Sequence, residues 1–89
     1  MKAIITVIGK DKVGILAMVA NECMEANINI LDVSQTIVDG LFTMTMSVDF
    51  DKANQSISEF ADYMEKLGTE KSLIIRVMHQ DIFDSMHKI

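Results

Sequence analysis

The hydrophobic residues of this chain follow two different spacings, which alternate along its length. The clearest strand covers residues 42–50, where every second residue is apolar and the residues between are Thr, Ser or Asp. That alternation is typical of a strand with one buried and one polar face. Residues 2–8 are apolar on both faces, which predicts a central strand covered on both sides. Two more strands are predicted at residues 28–38 and 73–78.

Helices are predicted where apolar residues recur at intervals of three and four. Asp11 is the predicted N-cap of the first helix, and Asn27 ends it because asparagine tolerates the left-handed conformation found at helix C-termini. Its apolar stripe comprises Ile15, Leu16, Val19, Ala20, Cys23 and Ala26. Asp51 or Ser56 is the predicted cap of the second helix, Ser56 forming a capping box with Glu59, and Gly68 is predicted to end the helix.

A short last helix is predicted over residues 81–88, with one apolar side. That side carries Ile82, Phe83, Met86 and Ile89. This apolar side is expected to be buried against another surface. The two candidates are an open face of the sheet and a partner subunit.

The pair Asp39-Gly40 predicts a two-residue hairpin turn between the second and third strands. The predicted order is therefore βαββαβ, which gives a ferredoxin-like α+β sandwich. It implies a single domain over residues 1–89, with an antiparallel four-stranded sheet, two helices on one face and a short C-terminal helix. The other face of the sheet is open and carries Thr43, Thr45 and Ser47.

Charge and composition narrow the functional classes. The net charge is −5 and Arg76 is the one arginine among 89 residues, which argues against binding to nucleic acid or anionic membranes. The N-terminus lacks the features of a signal peptide and no apolar run approaches about 18 residues, so a cytoplasmic protein is expected. With 49% hydrophobic residues in so short a chain, some apolar surface is expected to be covered by self-association.

Few residues of this chain are candidates for RNA binding, metal binding or catalysis. RNA-binding domains of this shape carry aromatic residues on the central strands, where this chain has Thr and Ser. Cys23 is the sole cysteine and lies on an apolar helical stripe, so it is interpreted as a small buried hydrophobe and no metal site is expected. His79 and His87 are interpreted as solvated or structural. We therefore expect no catalytic residues, no cofactor and no enzyme activity.

The candidate ligand site is the loop before the first helix. Gly14 stands at a helix N-terminus, where backbone N–H groups and the helix dipole favour an anion. A carboxylate is predicted to bind the N–H groups of residues 13–16, with Asp11 and the amide of Asn29 binding an ammonium or hydroxyl group at the same corner. The alternative is that Gly14 only permits tight helix–strand packing and Asn29 only caps a bend.

Two segments carry a resemblance to a known family. They are GKDKVGILA at residues 9–17 and NINILDVSQT at residues 27–36. Together with the element order, they resemble the ACT domain family over essentially the whole chain. The chain looks most like the short free-standing ACT proteins of bacteria and archaea, and is similar to the amino-terminal half of the glycine-cleavage repressor.

The resemblance implies a regulatory module that binds an amino acid or a related small carboxylate. Members typically pair side by side into an eight-stranded sheet, with ligand held between the first loop of one subunit and the start of the second strand of the other. Carried over by position, the first-loop wall is Asp11, Gly14, Ile15 and Leu16, and the opposing wall is Asn27, Ile28, Asn29 and Ile30. Val13 stands where many members have a small or polar residue or proline, which narrows the predicted pocket.

The resemblance leaves the output of such a sensor open. A chain with no further domain would signal through a client protein or through its own assembly state, and pairing of homodimers into tetramers stays open. The alternative function is an ACT-shaped interaction module without a small-molecule ligand, suggested by eight methionines and the uncovered last helix.

Overall fold

The computed structural model describes residues 1–10 and 13–87 of the chain. These residues form four strands and three helices. In chain order they are β1 (Lys2–Gly9), α1 (Ile15–Glu25), β2 (Asn29–Val38), β3 (Leu41–Asp49), α2 (Ile57–Glu70), β4 (Ile74–His79) and α3 (Gln80–Met86). This is the predicted βαββαβ order followed by a short C-terminal helix.

The four strands form one sheet in the order β2-β3-β1-β4, and each neighbouring pair is antiparallel. β1 and β3 are the central strands, as the apolar content of β1 predicted. β2 and β4 form the two edges. The ferredoxin-like sandwich predicted from the sequence is therefore confirmed.

The main core lies between the sheet and helices α1 and α2. β3 contributes its alternate apolar residues, which are all buried, and β1 contributes Ala3, Ile5 and Val7. Phe50 and Phe60 meet edge to face, with ring centroids 5.7 Å apart. Leu16 departs from the predicted stripe of α1, since 37% of its surface is exposed.

Several local predictions hold. Ser56 and Glu59 form the capping box of α2 through reciprocal hydrogen bonds of 3.1 Å. Asp39 and Gly40 adopt the positive φ angles, 51° and 78°, that their hairpin turn requires. Asn27 has a φ of 57° directly after the end of α1.

Two predicted helix boundaries are wrong. α2 does not end at Gly68 but continues to Glu70, because close packing against β4 selects glycine at this position. The N-cap of α1 is Gly14, since the helix begins at Ile15. Asp11, the predicted cap, lies outside the described residues.

The last helix covers only part of the open sheet face. α3 lies against β1 and β4, and its half-buried Phe83 stacks on the ring of His87. Ile82 and Met86 remain 56% and 66% exposed. Thr43, Thr45 and Ser47 lie half-buried on this face, as predicted.

Candidate functional site

The first predicted wall lies at the N-terminus of α1. Gly14 has a φ of 77°, a left-handed conformation that glycine adopts without strain, and no side chain of the described residues caps the helix there. Among the residues that the structure describes, and apart from the two chain neighbours, a Cβ built on Gly14 meets nothing within 4 Å. This geometry suits a small anion at the N-terminal end of the helix.

A hollow of about 300 Å³ lies beside this helix terminus. It is lined by Val13, Gly14, Ile15, Met18, Lys71 and Leu73. Sequence reasoning did not find Lys71, which comes from the far end of α2 and reaches the hollow only through the packing of that helix. Its ammonium group brings a positive charge to the same place as the helix dipole.

The second predicted wall surrounds a larger open hollow of about 750 Å³. All four predicted residues, Asn27, Ile28, Asn29 and Ile30, line it. The remaining lining residues, which the sequence did not indicate, are Ala20, Met24, Asp49, Asp51 and Lys52.

Hydrogen bonds fix the floor of this larger hollow. The Asn27 side chain donates to the Lys52 carbonyl over 2.7 Å, which ties the end of α1 to the loop after β3. The N-terminal ammonium group of Met1 binds the Asp51 carboxylate. That contact raises the pKa of the amine and lowers the pKa of the Asp51 carboxyl group.

The two walls lie at opposite ends of α1. The helix has 11 residues, which at 1.5 Å per residue separates its ends by roughly 16 Å. The expectation that Asn29 and Gly14 face one corner of a single chain is therefore wrong, because the length of α1 keeps them apart.

The pairing of the strands shows at which end of the sheet each wall lies. β1 ends at Gly9, which pairs with Phe42, so the loop leading to Gly14 leaves the sheet at the hairpin end of β2 and β3. Asn29 begins β2 at the other end of the sheet, opposite Asp49. The first wall therefore lies at the hairpin end of the sheet, where Leu73 before β4 also lines its hollow, and the second wall lies at the other end, beside the start of β2.

The other ionisable groups show no catalytic arrangement among the described residues. Cys23 is fully buried, and burial, with a smaller contribution from Glu22, raises the pKa of its thiol to about 11. This confirms its interpretation as a buried hydrophobe. Within residues 1–10 and 13–87, no group of three or more His, Cys, Asp or Glu side chains is placed to hold a metal ion. No helix of the described part of the chain has the length and apolar character to cross a membrane.

Comparison with known proteins gives the family. The sequence profile of the ACT domain matches residues 2–78. A UPF0237 protein of Clostridium perfringens is 48% identical over 89 residues, which is the full length of both chains. A solved ACT domain protein from Streptococcus pneumoniae is 40% identical, with a TM-score of 0.83 over 94% of each chain.

A more distant structure shares the fold alone. A protein assigned as a glycine cleavage system transcriptional repressor is 14% identical, with a TM-score of 0.76 over 85% of this chain and 44% of its own. The order and pairing of the strands and helices define a ferredoxin-like α+β domain. The chain belongs to the ACT domain family, and its full-length relatives are the short UPF0237 proteins.

Proposed function

We propose that this protein binds a small amino acid or related carboxylate at a homodimer interface and signals through a client protein or its own assembly state. The observation that carries the proposal is that the two walls lie at opposite ends of α1, the second of them at the start of the free edge strand β2. One protomer cannot bring them together. Two protomers paired through β2 about a twofold axis can.

Antiparallel pairing of two β2 strands supplies the missing half of each site. A twofold axis through the middle of β2 brings the Asn29 end of one strand to the Val38 end of the other. Gly14 lies at that same end of its own protomer, so the helix terminus of one subunit faces residues 27–30 of the other. The same axis generates two equivalent sites.

The β2 edge has the character of an interface. Its outer side is unpaired, and an unpaired edge is a template for another strand. Leu31, Ile37 and Val38 are 45%, 54% and 58% exposed along it. Pairing removes apolar surface from water and satisfies backbone groups together.

The chemistry of the paired walls suits a ligand with both charges. The helix terminus at Gly14 and the ammonium group of Lys71 favour a carboxylate. The opposing hollow offers the side-chain oxygen of Asn29 to an ammonium group, beside the Asp49 carboxylate, which already lies 3.9 Å from the N-terminal ammonium group of Met1. Ile15 and Val13 line the first hollow, whereas Leu16, which is 37% exposed, lies outside its lining. No residue is assigned a catalytic role.

A thermal-shift screen of the twenty amino acids and small carboxylates tests ligand binding. A ligand at 100 times its dissociation constant stabilises the fold by about 2.7 kcal/mol, which raises Tm by roughly 10–20 °C in a domain of this size. Gly14→Asp and Gly14→Asn form a matched pair, since both side chains tolerate positive φ and differ in charge. We expect the Asp variant to lose the carboxylate ligand and the Asn variant to retain weakened binding. Equal binding by wild type and Gly14→Asp rejects the site.

Cysteine cross-linking tests the β2 interface separately. Single cysteines at Ser34, Gln35 and Thr36 near the middle of β2 are each expected to approach their symmetry mates to different extents. The position nearest the twofold axis forms a disulfide-linked dimer under mild oxidation, and Cys23 does not interfere because it is buried. Equal, slow cross-linking at all three positions contradicts the interface.

The second candidate function is an interaction module that binds no small molecule. It is favoured by the exposure of Ile82 and Met86 on α3. The two candidates differ in the ligand screen, because the module predicts dimers without a thermal shift for any compound.

A further inference from the structure

The open face of the sheet is uneven from one end to the other. α3 lies over β1 and β4 at the end where Ile4 pairs with Met78. Ile4 is only 5% exposed although it lies outside the main core cluster, because α3 covers it. At the other end of the same two strands, Ile8 pairs with Ile74, and they are 36% and 53% exposed. α3 therefore covers one end of the face, whereas the other end is uncovered and apolar.

The middle of the face is polar but carries little charge. It is formed by Thr6, Thr43, Thr45, Ser47, Ser34 and Thr36, and its one carboxylate is that of Asp32, which lies opposite Ser47 on the edge strand. Arg76 lies in the same row as Thr6, but its guanidinium group turns around the sheet edge to within 3.9 Å of the Glu65 carboxylate on α2. Small hydroxyl side chains are less costly to remove from water than charges. The central part of the face, on β1 and β3, can therefore be covered without burying an unpaired ion.

We propose that two copies of this chain pack through their open sheet faces, with α3 of each copy on the bare Ile8–Ile74 end of the other. A twofold axis in the plane between the sheets and perpendicular to the strands produces this arrangement. It exchanges the two ends of each strand and keeps β1 and β4 above their own counterparts. α3 of each copy then packs on the uncovered Ile8–Ile74 end of the other copy.

The exposed side chains match under this symmetry. Ile82 and Met86 of α3 are apolar and lack a cover in one copy. Leu41 on β3 extends the bare apolar end beyond β1, and it is 40% exposed. The twofold axis places the exposed apolar side of α3 in each copy against the Ile8–Ile74 end of the other copy. The same contact therefore forms twice. A second copy of the chain therefore covers both apolar surfaces, the outer side of α3 and the Ile8–Ile74 end, with one kind of contact.

The available area is sufficient for a stable pair. Four strands spaced about 4.8 Å apart and seven residues long present roughly 450 Å² of flat sheet per copy. α3 already covers part of this area, so its own exposed side takes the place of the sheet beneath it, and side-chain relief adds to the total. The total over two copies then reaches the lower limit of about 1,000–1,200 Å² for specific interfaces.

This interface uses a different surface from the β2 edge of the proposed function. The two interfaces together give four copies, the open face alone gives two, and the β2 edge alone also gives two. Cysteine cross-linking in β2 reports on the edge, whereas substitutions on the open face report on the packing of α3. Failure of one interface is therefore distinguishable from failure of the other.

Sedimentation of three single variants tests the open-face pairing. Ile74→Glu and Ile82→Lys each place a charge in the apolar contact at a position that is exposed in the single chain, so folding is expected to survive. Each is expected to halve the molecular mass seen for wild type. Ser58→Glu adds a charge to the exposed first turn of α2 and is expected to leave the mass unchanged. Circular dichroism confirms that each variant is folded.

Mixing Ile74→Glu with Ile82→Lys tests whether α3 of one copy packs on the Ile8–Ile74 end of the other. In a mixed pair, Glu at position 74 of one copy faces Lys at position 82 of the other, and the second contact is the native apolar one. We expect the mixture to recover the mass that each variant lost alone. Unchanged mass in Ile74→Glu and Ile82→Lys overturns the proposal and leaves the face to a different protein. Loss of mass without recovery on mixing overturns the end-to-end arrangement.

Discussion

Gly68 of α2 lies so close to Ile75 of β4 that a Cβ atom on the glycine would be 2.9 Å from Cγ1 of the isoleucine. The same Cβ would lie 2.9 Å from the carbonyl oxygen of Leu73, which is backbone and cannot rotate away. Gly68 also accepts a 2.7 Å hydrogen bond from the N–H of Leu73. Glycine here lets the last turn of α2 contact the start of β4 directly.

Gly68→Ala is expected to destabilise the fold even though alanine is the better helix former. The gain in helix propensity is about 1 kcal/mol, whereas overpacking costs about 1–3 kcal/mol and here involves a backbone atom. We expect a net loss of about 1–2 kcal/mol in the free energy of unfolding, measured in urea at a fixed protein concentration. Lys66→Ala, on the exposed side of α2, is the control and should change stability by less than about 0.5 kcal/mol. A Gly68→Ala variant as stable as wild type contradicts the close contact.

Asn27 combines a left-handed backbone with a side-chain hydrogen bond to the Lys52 carbonyl. Asn27→Gly removes only the hydrogen bond and is expected to cost about 0.5–1.5 kcal/mol. Asn27→Ala removes the hydrogen bond and also places a Cβ at positive φ, which adds about 1–2 kcal/mol. Unfolding in urea should therefore rank wild type above Asn27→Gly and Asn27→Ala lowest. The reverse order of the two variants would show that backbone conformation is not what selects asparagine.

Cys23 is expected to make stability fall at alkaline pH. Its thiol ionises with a pKa near 9.0 when exposed, but burial raises the pKa to about 11 in the folded protein. The unfolded chain therefore loses this proton first, so stability that is complete below pH 9 declines until the folded thiol also ionises near pH 11. The loss from this group is roughly 2–3 kcal/mol across that interval. Urea unfolding between pH 8 and 11 measures it.

Cys23→Ala is the matched variant for this pH dependence. All other ionisable groups are common to the two proteins and contribute to both curves. The difference between the two stability curves isolates the thiol, whatever the constant cost of the smaller side chain. Parallel curves from pH 8 to 11 would contradict the assigned burial.

Local sequence signals determined the element order of this protein. Alternating apolar residues in β3, the capping box at Ser56 and the Asp39-Gly40 turn each depend on a few consecutive residues, and each holds in the structure. The same is true of Asn27 after α1. With strands and helices alternating in this order, few topologies remain, so the fold class followed from the chain alone. The two motif segments gave the family.

Tertiary structure decided the features that depend on which surfaces meet. It kept Gly68 inside α2, because contact with β4 outweighs the tendency of glycine to end a helix. It placed Gly14 and Asn29 at opposite ends of α1, and it brought Lys71 beside Gly14 from the far end of α2. It also seated α3 over Ile4 and left Ile74 bare. Periodicity reports which side of an element is apolar, but distances between elements are set by packing, and a single sequence carries no direct signal for them.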